Sequence, residues 1–211
     1  LGTELKREVL SALQSHHTLR KRLLDGGNAE EQVADFEDVF FHAGFDTIDQ
    51  FLEARFGTEH IRKIGREALV GTLSHKEDIH RLFTHEDHWY RELMLYLYRN
   101  RDHGAISSQS FSFVSFNYDR SLRHYLHKSL SSRNDALKRP LESDFLTNKN
   151  FLHVHGHIGF LPWQKIPTDR DYDARRYVDV MSHEDIVTTA RSVLLPHEDF
   201  STPSEIRANI D

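Results

Sequence analysis

Apolar positions recur every three or four places through the first hundred residues. Over 3–24, Leu5, Val9, Leu10, Leu13, Leu19 and Leu23 share one face of a 3.6-residue repeat, the signature of an amphipathic helix. Gly26-Gly27 is expected to end it, with Asn28 capping a second helix over about 29–43 that turns Val33, Phe36, Phe40 and in part Val39 inward. After Gly44, Asp46 is expected to cap a short helix bearing Ile48, Phe51 and Leu52. A longer helix over about 59–72 sets Ile61, Ile64, Ala68 and Leu69 on its inner face, and 77–83 continues or restarts the pattern. Over 87–99, Trp89, Tyr90, Leu93, Met94, Leu97 and Tyr98 form a stripe at helical spacing, which reads as core rather than as a cofactor box.

The pattern then changes period. Residues 112–116 and 150–154 are short runs rich in Phe and Val that stop abruptly at polar side chains, Asn117-Tyr118-Asp119 after the first and His155-Gly156-His157 after the second. Each reads as a buried strand whose carboxyl end opens into a loop. A helix over about 120–130 and a polar stretch over 131–148 join them, which is the pattern of a βαβ unit with parallel strands. Ligands of open α/β sheets bind outside the carboxyl ends of the strands, so Asn117, Asp119 and His155 are expected to face one ligand. The expected fold is α/β, a small Rossmann-like parallel sheet with a large helical insertion. It forms one domain over 1–211, with a helical module at 28–100 and the sheet core at 101–165. Past Pro162, 167–177 reads as loop, 185–192 as helix and 193–195 as the start of a strand.

Composition narrows the chemistry. The chain has 33 acidic against 27 basic residues, a formal net charge of −6. That balance argues against a general nucleic-acid surface, which needs Lys and Arg to neutralise phosphates. The small basic clusters Arg20-Lys21-Arg22 and Arg175-Arg176 read as solvated faces. With no cysteine, disulfides, thiolate catalysis and cysteine zinc sites are excluded. No apolar run approaches the roughly 20 residues that span a bilayer, and no charged, apolar leader opens the chain, so a cytoplasmic protein without membrane contact is expected. No Gly-x-Ser-x-Gly elbow marks a serine nucleophile.

Two readings of the strand ends stand beside each other. Asn-Tyr-Asp after a strand serves as turn chemistry, with Asp119 capping the next helix through N–H groups near Leu122. His153, His155 and His157 alternate, so an extended strand would project them from one face as ligands of a divalent ion, with Asp119 or a helix carboxylate completing the set for metal-dependent hydrolysis. Glu77-x-x-His80 and His85-x-x-His88 also have ligand-like spacing, in a chain whose 16 histidines are widely scattered.

The pairing of Ser115-Phe-Asn-Tyr-Asp119 with His153-Val-His-Gly156 resembles the sirtuin-like NAD-consuming domains of bacteria, related to the sirtuin deacylases and commonly NAD hydrolases in defence against phage. Residues 47–53, 61–65 and 155–162 are similar to the same branch, so the resemblance spans roughly 45–165. It implies NAD as substrate and Asn117 and His155 as the catalytic residues. Asp119, Asn117, Phe116 and Gly156 would meet the cofactor, although by alternation Phe116 and Tyr118 point away from Asn117 and read as packing residues. It also implies control by a homo-oligomer or a regulatory partner domain. The family's Gly-rich and Ala-rich phosphate loop before the first helix, and a later Gly-rich strand, have no counterpart here, so a fragment cut at both ends is expected. Protein deacylation uses the same Asn and His but usually with a four-cysteine zinc module. A sensing or scaffold domain that has lost cofactor binding is the non-enzymatic alternative.

Overall fold

The computed structural model describes residues 2–14, 18–84, 89–99, 112–133, 146, 150–166 and 174–193. Their elements run α1 Gly2–Gln14, α2 Thr18–Asp25, α3 Glu30–His42, α4 Ile48–Ala54, α5 Glu59–His75, α6 Ile79–Thr84, α7 Trp89–Arg99, β1 Phe113–Ser115, α8 Ser121–Arg133, β2 Phe151–His153 and α9 His183–Ala190. The described residues are mostly helical, with a small two-stranded parallel sheet. Two compact units form, one from the described residues up to 76 with 179–193, the other from those between 77 and 178.

In the first unit α5 is the hub, packing against α1, α2, α3, α4 and α9. Its middle is apolar or small almost all round, and Ile64, Gly65, Ala68, Leu69, Val70 and Gly71 are all buried, as a helix enclosed on every side requires. Gly65 and Gly71 permit the close approaches: a Cβ on Gly65 would stand 2.3 Å from Leu52 Cδ2, and one on Gly71 2.7 Å from Leu19 Cδ1. Phe36, Phe40 and Phe51 interlock, Phe36 stacked on Phe40 at 5.3 Å and Phe40 tilted on Phe51 at 4.9 Å.

The expected helix over 3–24 is two helices, and α2 ends at Gly26-Gly27 as expected. Asn28 N–H reaches Leu23 O at 3.3 Å and Gly27 N–H reaches Leu24 O at 2.9 Å, with Gly27 at φ +85°, a Schellman ending that favours glycine. Two caps differ from expectation. Ala29, not Asn28, occupies the N-cap of α3. Asn28 turns inward, its amide donating to Leu23 O at 2.8 Å and Glu67 Oε2 at 2.6 Å while its carbonyl accepts from Lys63 Nζ at 2.5 Å. Thr47, not Asp46, caps α4, its hydroxyl accepting from Gln50 N–H at 3.1 Å.

In the second unit β1 and β2 pair in parallel, Phe113 beside Phe151, Val114 beside Leu152 and Ser115 beside His153. With α8 between them they form the expected βαβ unit. Phe151 packs with Met94 and Leu97 of α7 and with Leu126 and Leu130 of α8, while Val114 points outward. Trp89 leaves the expected core stripe and is 60% exposed. Five residues before Met94, it falls on the far side of the helix. Val193 lies outside any strand, and residues 194 and 195 of that expected strand lie outside the described residues. Among the described residues no helix is long and apolar enough to cross a membrane.

Candidate active site at the strand ends

The register decides what meets at the sheet's carboxyl edge. Because Ser115 pairs with His153, the residues following each strand emerge at the same end. Beyond the ladder the two loops stay fastened. Val154 N–H donates to Ser115 O at 2.9 Å and Ile158 N–H to Tyr118 O at 2.9 Å. Asn117 N–H donates to Ser115 Oγ at 3.1 Å, and His153 Nδ1 lies 2.9 Å from Asn117 O. A carbonyl only accepts, so that contact fixes the Nδ1–H tautomer of His153.

Asn117 therefore has an anchored backbone and an exposed side chain. Asp119 is half-buried, its Oδ1 accepting from Ser121 N–H at 3.0 Å and from the Ser121 hydroxyl, which is the expected turn chemistry leading into α8. On the second loop the half-buried His155 ring lies 6.0 Å from that of Phe116 and 6.2 Å from that of Tyr118. Tyr118 is buried, whereas Phe116 is 67% exposed: Tyr118 is a packing residue and Phe116 is not. Gly156 adopts φ +80° in a turn whose N–H returns to His153 O at 3.1 Å, a conformation that favours glycine.

That turn excludes the row of histidines that an extended strand would have projected. β2 stops at His153, and the chain folds back to bring the His157 ring 5.5 Å from His153, with His155 left among the aromatic rings. Among the described residues no group of three His, Asp or Glu stands where it could hold a metal ion. Glu77 is engaged by Arg120, Arg175 and Val178 N–H. His85 and His88 lie outside the described residues.

Beneath the first loop is a polar node that no local pattern announced. Arg120, the residue after Asp119, forms a two-pronged pair with Glu77, Nε to Oε1 at 2.7 Å and Nη2 to Oε2 at 2.6 Å. Its remaining N–H groups go to Phe160 O, Arg175 O and Arg176 O. All five donors of this buried guanidinium are thus satisfied. Arg175 adds a second cation at 2.8 Å from Glu77 Oε2, so it is part of the interior and not of a solvated face. Val178, held at a strained φ of +73°, donates its N–H to the same oxygen at 3.2 Å.

Arg123, one turn further along α8, is also buried. Its Nη2 donates to Phe151 O at 3.0 Å and its guanidinium covers the Phe151 ring at 4.7 Å. Burial lowers its pKa to about 9, which leaves it cationic at neutral pH. Burial, and then the Arg123 charge, lower His153 to about 4 against the opposing pull of its Asn117 hydrogen bond and of Asp119. Burial likewise drives His157 well below the usual imidazole value. His153 and His157 are thus kept as neutral imidazoles in the vicinity of the buried Arg123 cation. Comparison with known protein families, with curated proteins and with solved structures returns no match to this chain.

Proposed function

We propose that this protein binds NAD at the carboxyl ends of β1 and β2 and hydrolyses its nicotinamide–ribose bond, giving nicotinamide and ADP-ribose, as the bacterial sirtuin-like domains it resembles do. The observation that carries the reading is the parallel register of Ser115 with His153, which brings the Asn-Tyr-Asp and His-Gly segments to one end of the sheet. The nicotinamide of NAD is already a cationic pyridinium, so its departure needs no acid. The C1′–N bond breaks with its electrons passing to the ring nitrogen, and water adds to C1′. In this reading His155 takes the proton of that water or of a ribose hydroxyl, Asn117 orients ribose or water, and Asp119 hydrogen-bonds the carboxamide. Phe116 and the Gly156 turn line the entrance. The sheet is then the edge of a Rossmann-like fold, and the setting is a bacterial cytoplasm under phage attack, with a homo-oligomer or regulatory domain holding turnover in check.

A non-catalytic scaffold is favoured by one observation: Asp119 is engaged as the opening of α8. Incubating the protein with NAD and following free nicotinamide separates the two. Release that Asn117→Ala and His155→Ala each abolish, with helical signal unchanged, is the expected result. Turnover retained in both variants sinks the site assignment. An acylated-peptide requirement for release would identify a deacylase instead.

A further inference from the structure

Asp119 is the end of a hydrogen-bonded chain that begins on another helix. The Tyr90 hydroxyl of α7 lies 2.7 Å from Ser121 Oγ, and Ser121 in turn bonds Asp119 Oδ1 through both its hydroxyl and its N–H. The order of donation is forced. An ionised carboxylate only accepts, so the Ser121 hydroxyl proton points at Asp119 and its lone pair is left for the Tyr90 O–H. Burial, and then the charge of Asp119, raise the Tyr90 pKa to about 12, so the phenol keeps its proton across the physiological range. Asp119 Oδ1 is thereby saturated, while Oδ2 accepts no hydrogen bond among the described residues.

We infer that Tyr90 and Ser121 are positioning residues that hold the Asp119 carboxylate in one rotamer, with Oδ2 directed to the amide N–H of a carboxamide ligand, nicotinamide in the reading above. The inference rests on that reading for the identity of the ligand. A carboxylate free to rotate would lose part of its hydrogen-bond energy to ordering, whereas one locked by two donors on the other oxygen is prepared for a single N–H. Tyr90 is placed to do this because α7 packs against α8, and Tyr90 also tilts onto Tyr125 at 5.6 Å, which fixes its ring independently of the hydroxyl.

Tyr90→Phe removes one oxygen and leaves that packing intact, and Ser121→Ala interrupts the chain at its middle. Each is expected to raise the KM for NAD roughly three- to tenfold, the worth of one hydrogen bond, with kcat changed by less than about twofold. In an Asp119→Asn background Tyr90→Phe should add nothing further, a coupling that general destabilisation would not produce. Calorimetric Kd for NAD gives the same comparison without turnover. A catalytically silent wild type whose NAD affinity falls in Tyr90→Phe would overturn the hydrolase reading and keep the relay. Turnover by the wild type, with Kd and KM unmoved in both variants, would overturn the relay alone. Absence of NAD binding by the wild type would overturn both, and an equal KM rise in the Asp119→Asn background would reduce Tyr90 to a structural residue.

Discussion

Each unit buries a carboxylate beside positive charge, and the two do so differently. Glu67 on α5 meets Asn28 and Lys63, and the Lys63 side chain is 47% exposed. Glu77 meets Arg120 and Arg175, whose side chains are 2% and 11% exposed, within a web of backbone carbonyls. The first unit keeps one charge of its pair near water. The second encloses all three of its charges, next to the loop that carries Asn117 and Asp119. Enclosure of this kind contributes little net stability, because desolvation offsets the attraction, but it fixes geometry while every partner is present. The difference lies in what keeps each carboxylate paired: a lysine that reaches water in one unit, two enclosed guanidiniums in the other.

The largest expected effect comes from removing one carboxylate charge from each node. Glu77→Gln leaves Arg120 and Arg175 as enclosed cations, and should lower unfolding stability by about 3–5 kcal/mol. Glu67→Gln should cost about 1 kcal/mol, since Lys63 can turn to solvent and the Asn28 amide still finds an oxygen. Urea denaturation gives the totals, and hydrogen exchange shows which segment loosens. Equal costs would break the comparison.

That contrast also explains what the sequence disclosed. Ile61, Ile64, Ala68 and Leu69 were legible because burial of a helix face repeats along the chain itself. The parallel β1–β2 pair was legible because two apolar runs with a helix between them have few other arrangements. Asn28 was not, since its position after two glycines matches a cap while its true partners are Lys63 and Glu67, 35 and 39 residues away. Glu77 looked like a metal ligand beside His80 for the same reason: its partners are 43 and 98 residues distant. Tyr90 read correctly as a packing residue, but its hydroxyl's link to Ser121 has no periodic trace. Local pattern reports which face is buried, and only the assembled fold reports which polar groups share it.

Acid should separate the units next. His124, His127 and His153 are all lowered to about 4, chiefly by burial, and His157 lies well below its usual value. For His124 the cations Lys128 and Arg120 and the neighbouring His127 add to the effect. An unfolded chain takes up these protons near pH 6.5, while the folded unit refuses those of His124, His127 and His153 until about 4. Stability is therefore undiminished above about 6.5 and is lost as pH falls from there toward 4. Hydrogen exchange at pH 7 and pH 5 should show residues 121–133 and 150–160 losing protection faster than α3 and α5. Uniform loss would place the acid sensitivity elsewhere.

The smallest expected effect on stability is at Phe116, and it tests the strand ends most directly. A large aromatic ring 67% exposed at a sheet edge buries little apolar area, so Phe116→Ala should change unfolding stability by no more than about 0.5 kcal/mol. Exposure without a packing role is informative in a loop whose other aromatic, Tyr118, is buried. If the ring walls a ligand beside His155, the same variant should raise the KM for NAD several-fold while the melting temperature stays put. A lowered melting temperature with KM unchanged would assign Phe116 to packing and remove it from the site, leaving Asn117, Asp119 and His155 to carry the chemistry.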